Sequence, residues 1–446
     1  MRPGRSRRKL GMWASLPPFN GGKRRLAGLI FGAIDRVVGR AAWSSLTFVD
    51  GFLGGGSIAL YAKAQGFGRV IAIDIARRSV VVGEALIANS RVRLTQDDVT
   101  RVLAPRDGGP GPVERDLAPH AFTQSQARVI DNALAQAAKS GDAAKAALFR
   151  LLAVRIALAA HPFSYARKGT IAKVTTGEFE SITPSALPQY VRGLRLATFP
   201  LLWDLAERIN HGVFEGHGEV RQGDALEILP TIEADILYTD PPYAATRGYE
   251  AAYKVIDQIL GEATRPTSPF TARCGAGMID TLLERAKHIP LVVLSFGNET
   301  VSLRELEQKL VQQGRETRAI EIPYARLAAL SKGEKGGRDR ELLVVGWDPE
   351  VTARRRDSVQ GLGDDLHQSN ILDADVGVQA DLDLRSSRCA LLEASAEPQT
   401  GVDQPDAVLG ERGLHGDGVG GTRRSARHGS TIPRSGSPSQ GGTRHE

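Results

Sequence analysis

"LTFVDGFLGGGSIALYAKAQGFGRVIAIDI", residues 46–75, decides the fold. "LTFVD" is an apolar, β-branched run that stops at Asp50, and the glycine-rich "GFLGGGS" follows it. "IALYAKAQG" reads as a helix and "RVIAIDI" as a short strand that carries Asp74 near its end. Strand, glycine turn, helix and strand make a βαβ unit, which joins parallel strands and predicts an α/β protein built on a parallel sheet. Glycines between strand and helix let a ligand approach the backbone and the N–H groups at the helix start. Asp74 follows Gly54 at roughly the 20-residue distance at which an acid meets ribose hydroxyls in dinucleotide folds. The spacing is not GxGxxG, which disfavours a nicotinamide cofactor. Taken alone, a plain tight turn is the alternative reading.

Working outward from this unit, the 446-residue chain is long enough for a substantial core and has the 41% hydrophobic content of a globular protein. Its net charge of +6 favours a polyanionic partner. The two cysteines, Cys274 and Cys389, lie far apart and match no metal-ligand spacing, so no metal site and no disulfide framework is expected, and a reducing cytoplasm fits. The most apolar helical stretch, "ALFRLLAVRIALAAHPF", carries Arg150 and Arg155 and reads as a buried helix rather than a membrane span. The N-terminus is basic without the apolar core of a signal peptide. A cytoplasmic, monomeric protein is the default expectation.

Residues 1–16 read as a basic flexible arm, the first acid of the chain being Asp35. Residues 100–218 break the strand–helix alternation: "TQSQARVIDNALAQAAKSGDAAKAALFRLLAVRIALAA" reads as two alanine-rich helices about a Ser-Gly break, within an insertion between two halves of one sheet. The sheet resumes at "GEVRQGDALEIL", "ADILYTDPPY" and "IPLVVLSFGNE", and closes with the pair "ETRAIEIPY" and "RELLVVGW". Beyond Trp347 the sequence has no aromatic residue, and its Gly, Ser, Asp, Arg and Pro content cannot bury enough surface to offset the entropy of ordering. Residues 349–446 therefore read as a disordered tail.

In "DILYTDPPY" the apolar run ends on Asp240, two prolines and Tyr243. Ligands of open α/β sheets bind at the carboxyl ends of strands, which is where Asp240 falls. Its carboxylate and the carbonyl of Pro241 are two acceptors on a corner stiffened by Pro241 and Pro242. That pair suits a planar amino group with two protons to give. An exocyclic amine on a nucleobase is a poor nucleophile because its lone pair is delocalised into the ring. Fixing both protons favours the pyramidal nitrogen of the transition state. Tyr243 offers a face for the base, worth about 1–3 kcal/mol per base in single-strand binders. An ordinary turn, with Asp240 capping and Tyr243 packing, is the bland reading of these four residues alone.

In order along residues 17–347, "PPFNGGKRRL", "FVDGFLGGGS", "VIAIDI", a long insertion, "RQGDALEIL", "DPPY", "LSFGNE" and "ELLVVGW" resemble the elements of Dam-type, α-group N6-adenine DNA methyltransferases. The resemblance implies a Rossmann-like S-adenosylmethionine-dependent methyltransferase sheet with a mostly helical inserted target-recognition region. Residues 17–99 then form the cofactor-binding half, 100–218 the recognition region and 219–348 the catalytic half. It implies methyl transfer from S-adenosylmethionine to adenine N6 by direct attack. Matched position by position, it assigns Gly22 and Lys23 to the N-terminal cofactor motif, and Asp50, Gly54 and Gly56 to the methionine-moiety loop. Asp74 becomes the ribose-binding acid and Asp224 the acid near the cofactor's adenine, while Asp240, Pro241, Pro242 and Tyr243 form the catalytic turn. Two positions depart from the family: Gly51 stands where proline is usual, which predicts a looser loop, and Phe19 or Asn20 where tryptophan is common.

A double-stranded DNA substrate requires the target base to be flipped out, at a cost of a few kcal/mol that phosphate contacts can offset. Lys332, Lys335 and Arg338 are candidate contacts, with a solvated charged loop as the alternative. Within the insertion, Arg167, Lys168 and Lys173 are interleaved with Phe163, Tyr165 and Thr175, a mixture able to touch phosphates and base edges, or an ordinary hairpin. RNA adenine, cytosine N4 and protein amides are the alternative acceptors, the last disfavoured by the acid at 240. A non-catalytic DNA-binding relative is the reading from a different class.

Overall fold

The computed structural model describes residues 11–19, 21–106, 108–118, 120–160, 193–242, 249–262, 270, 277–297, 301–323 and 340–351. These lie within one unit, Met1–Ser387. The strands are β1 (Thr47–Asp50), β2 (Arg69–Asp74), β3 (Gly218–Gln222), β4 (Ile236–Thr239), β5 (Leu291–Gly297), β6 (Glu316–Pro323) and β7 (Arg340–Trp347). They form one seven-stranded sheet in the order β3-β2-β1-β4-β5-β7-β6. β3, β2, β1, β4 and β5 run parallel, and β7 pairs antiparallel with both β5 and β6. The strand order reverses between β1 and β4, and in open α/β sheets that switch point is where ligands bind.

Both faces of the central strands are buried, as a parallel sheet requires. Phe48, Val70, Ala72, Ile236, Tyr238, Leu291 and Val293 point to one face, and Val49, Ile71, Ile73, Leu237, Val292 and Leu294 to the other. This alternation lets both layers of helices bury their apolar sides on the same strands.

On the first face, α1 (Ala27–Val38), α2 (Ser57–Gln65) and α3 (Arg77–Gly83) cover the sheet. They are followed by α4 (Gln96–Leu103), α5 (Pro112–Asp116), α6 (Gln124–Lys139), α7 (Ala143–Ala159) and α8 (Phe199–Asn210). α9 (Ala225–Ile228), α11 (Met278–Arg285) and α12 (Leu303–Val311) pack on the second face, and α10 (Tyr249–Ile259) follows β4 in the chain. The ends of α6 and α7 are set by their caps: Thr123 and Gln126 form a reciprocal capping box, and Asp142 accepts the Lys145 N–H at 3.0 Å.

The inserted helices share the core of the sheet: α6, α7 and α8 bury their apolar residues in the same cluster as Phe48 and Val70. α7 is apolar on every side, with Leu151, Leu152, Val154 and Ile156 buried, and such a helix must be enclosed. The basic arm ends before residue 16. Gly11–Leu16 forms a turn with Met12 and Leu16 buried, because the buried Arg155 of α7 donates to the carbonyls of Ala14, Ser15 and Leu16 at 2.9, 2.6 and 2.9 Å. Arg24 adds a bond to the Pro17 carbonyl at 2.9 Å. Residues 1–10 of the arm and the tail from residue 352 lie outside the described residues. Among the described residues no helix is long and apolar enough to cross a membrane, and no group of His, Cys, Asp and Glu could hold a metal ion.

Candidate active site

The carboxyl ends of β1, β2 and β4 open into a cleft lined by Gly22, Lys23, Asp50, Gly54, Asp74, Asp224, Asp240, Pro241 and Pro242 among others. The structure thus brings together nearly all the described residues that sequence reading assigned to cofactor and catalysis. Gly56 is the exception. It lies below the cleft at the N-terminus of α2 with φ +80°, and a Cβ there would stand 3.0 Å from Val82 Cγ1. Its part is to turn the chain into the helix in a left-handed conformation that favours glycine.

The glycine loop is fastened on three sides. Asp50 accepts the Phe52 N–H at 3.3 Å and the Ala59 N–H at 3.1 Å. The Leu53 N–H donates to the Ile73 carbonyl of β2 at 2.9 Å, and the Gly54 N–H to Asp74 Oδ2 at 2.8 Å. The Gly51 N–H donates to the Tyr238 carbonyl of β4 at 2.9 Å. A proline has no N–H to give, so the glycine at position 51 adds a tie between the loop and β4 that the family's usual residue could not make. Burial pushes the Asp50 carboxyl up to about 7, against the pull of its two N–H partners and with the charges of Asp240 and Asp74 adding to the rise.

Asp240 directly follows β4, and Lys23 meets it from the N-terminal motif with Nζ 2.7 Å from Asp240 Oδ2. Lys23 is buried, and its backbone N–H donates to Ser57 Oγ at 3.2 Å, which fixes the Gly-Gly-Lys stretch at 21–23 to the start of α2. Behind it, Glu341 Oε1 of β7 lies 3.4 Å from the same ammonium and accepts the Ser295 hydroxyl of β5 at 2.5 Å. Burial first, and then the charge of Asp240, hold the Tyr238 phenol well above its ordinary value, so it stays neutral beneath the turn.

Aromatic rings complete the walls. Phe19 meets Tyr253 of α10 edge to face at 4.9 Å, and the Arg78 guanidinium lies over the Tyr253 ring, 5.0 Å from its centre. Phe52 meets Phe270 edge to face at 5.2 Å. Arg78 Nη1 reaches both carboxylate oxygens of Asp257, at 2.8 and 2.6 Å, and so ties α3 to α10. Asp224 caps α9 through the Leu226 N–H at 2.9 Å. Tyr243, Arg167, Lys168, Lys173, Lys332, Lys335 and Arg338 lie outside the described residues.

Glu341, Ser295, Arg78 and Tyr253 were not singled out in the sequence. For Glu341 a signal existed: it is an acid at the head of the apolar run "LLVV", where a strand gains nothing by an unpaired charge.

The strand order, the switch-point cleft and the acids at the ends of β1, β2 and β4 define a Rossmann-like methyltransferase. Residues 19–107 match the family model described as D12 class N6 adenine-specific DNA methyltransferase. Over 293 residues the chain is 29% identical to the type II methyltransferase M2.HphI of Haemophilus parahaemolyticus, an alignment spanning 62% of this chain and 84% of that protein. Both comparisons support kinship with the D12 class of N6 adenine-specific DNA methyltransferases, a family whose chemistry is adenine-specific DNA methylation. Methyltransferases of this kind generally draw their methyl group from S-adenosylmethionine.

Proposed function

We propose that this chain methylates the N6 amine of an adenine flipped out of duplex DNA at a specific sequence, with Asp240 and the Pro241 carbonyl holding the amine. The observation that carries the proposal is the position of Asp240: at the end of β4, beside the switch point, facing the same cleft as Asp50 and Asp74. S-adenosylmethionine supplies an electrophilic methyl group on a sulfonium cation. The cleft suits such a cation, since four carboxylates line it and burial makes Asp50 gain from a positive neighbour. In this reading Asp50 and the glycine loop hold the methionine end, Asp74 the ribose hydroxyls and Asp224 the adenine end. Gly22 and Lys23 close the cleft from the N-terminal side.

Asp240 and the Pro241 carbonyl each accept a hydrogen bond from the amine, which frees the nitrogen lone pair for attack as the ring delocalisation is lost. The proton shed afterwards passes to Asp240 or to water, so no further base is needed. Tyr243 stacks on the purine. Arg167, Lys168 and Lys173 contact the DNA from the recognition region, and Lys332, Lys335 and Arg338 from the stretch of sequence between β6 and β7. The name of the Haemophilus relative as a type II methyltransferase supports a site-specific modification role here.

The test is transfer of a labelled methyl group from S-adenosylmethionine to unmethylated duplex DNA, followed by digestion to nucleosides. Label in N6-methyldeoxyadenosine is the expected result. Label in N4-methyldeoxycytidine, or in RNA but not in DNA, overturns the assignment of the acceptor.

A further inference from the structure

Behind the catalytic turn lies a buried charge group that the proposed mechanism does not use. Glu341 is 0% exposed at the head of β7, where a carboxylate is costly unless a cation and hydrogen bonds compensate it. Ser295 supplies a hydrogen bond at 2.5 Å, and Lys23 Nζ stands 3.4 Å away. The same ammonium is 2.7 Å from Asp240, whose side chain is 17% exposed. Lys23 therefore lies between an enclosed acid and one that faces the cleft. A lysine carries its charge on four rotatable bonds, and pairing with Asp240 alone would leave the ammonium several positions around that carboxylate. One of them is the ground a substrate amine must occupy.

We propose that Glu341 is a positioning residue that acts through Lys23. It draws the ammonium to the enclosed side of Asp240, so that Lys23 orients the carboxylate without competing with the substrate amine. When the amine takes hold of Asp240, Glu341 is the anion on which Lys23 stays paired. Ser295 in turn fixes Glu341. This inference rests on the reading of Asp240 as the acceptor for the amine.

The test compares the full-length wild type with Glu341→Gln, which keeps the shape and an oxygen for the Ser295 hydroxyl but removes the charge. The readouts are kcat, KM for S-adenosylmethionine, KM for unmethylated duplex DNA and the thermal midpoint. The expected result is a fall in kcat of about tenfold or more with both KM values within about threefold of wild type. In a Lys23→Met background the same change should cost nothing further, because the residue through which it acts is gone. A kcat within about twofold of wild type, or a loss carried by KM alone, overturns the proposal. So does a loss that multiplies with that of Lys23→Met. If Glu341→Gln does not fold, Ser295→Ala decides: kcat should fall with KM unchanged, and an unaltered kcat overturns the proposal. Wild-type protein that leaves no label in N6-methyldeoxyadenosine refutes the functional reading itself, a result distinct from any failure of the variants.

Discussion

Asp74 Oδ2 accepts the Gly54 backbone N–H at 2.8 Å, and Oδ1 of the same carboxylate accepts the Ala76 N–H at 2.8 Å. The acid that ends β2 is thus a brace for the glycine loop after β1 as well as a candidate for the ribose hydroxyls. Each oxygen keeps a lone pair beyond the one engaged by the backbone, so both tasks fit one side chain. Asp74→Asn turns one acceptor into a donor aimed at an N–H group. It should raise the dissociation constant for S-adenosylmethionine about tenfold or more and lower stability by about 1–3 kcal/mol. Titration calorimetry and denaturant unfolding measure the two effects separately.

Asp50 gives the cleft a pH dependence. Its folded value of about 7 lies above the 3.8 of an exposed aspartate, with burial the largest cause. The stabilisation that comes from its bound proton is complete below that exposed value and is lost as pH rises towards about 7. A cation bound in the cleft favours the carboxylate, so cofactor binding releases a proton when the group starts protonated. Affinity for S-adenosylmethionine should therefore climb by up to about tenfold per pH unit below that value and level off above it. Asp50→Asn should flatten the profile. A wild-type affinity that does not change across this range contradicts the assignment.

The pair of Arg78 and Asp257, with side chains 8% and 10% exposed, ties α3, the helix after β2, to α10, the helix after β4 and Asp240. Breaking one partner strands the other's charge in a dry site. Asp257→Ala should cost about 3–5 kcal/mol, and Arg78→Met/Asp257→Leu together should recover much of that loss. Unfolding free energies of the two single variants and the double variant check this.

Gly56 and Gly51 separate a backbone role from a binding role. Gly56→Ala places a side chain at φ +80° with its Cβ 3.0 Å from Val82, and should cost about 1–2 kcal/mol of stability while S-adenosylmethionine affinity holds. Gly51→Pro restores the residue usual in the family but deletes the 2.9 Å bond to the Tyr238 carbonyl. It should lower stability by about 1 kcal/mol rather than raise it. Thermal melts with and without cofactor distinguish the two outcomes.

The strands were legible because each central one is buried on both faces and reads as an uninterrupted β-branched run, "TFVD", "RVIAID" and "LVVLSFG" among them. The acids ending β1, β2 and β4 were legible for a related reason: a carboxylate that stops an apolar run must face water or a ligand. What the sequence did not reveal depends on which distant polar groups meet. Glu341 finds Lys23 across most of the chain, and Arg155 finds the carbonyls of residues 14–16 more than a hundred positions away. Periodicity records which face a residue takes, not its partner on that face. The gain of a hydrogen bond at Gly51 was hidden likewise, because a family comparison registers the lost proline and not the recovered N–H.

The central claim, that Asp240 acts on the reacting amine, is tested most directly by single-turnover methylation with Asp240→Asn alongside a cofactor dissociation constant for the same variant. A fall in rate of about a hundredfold to a thousandfold, with cofactor affinity within about threefold of wild type, is the predicted result. A variant that methylates adenine near the wild-type rate, or one whose loss disappears at saturating cofactor, would contradict it.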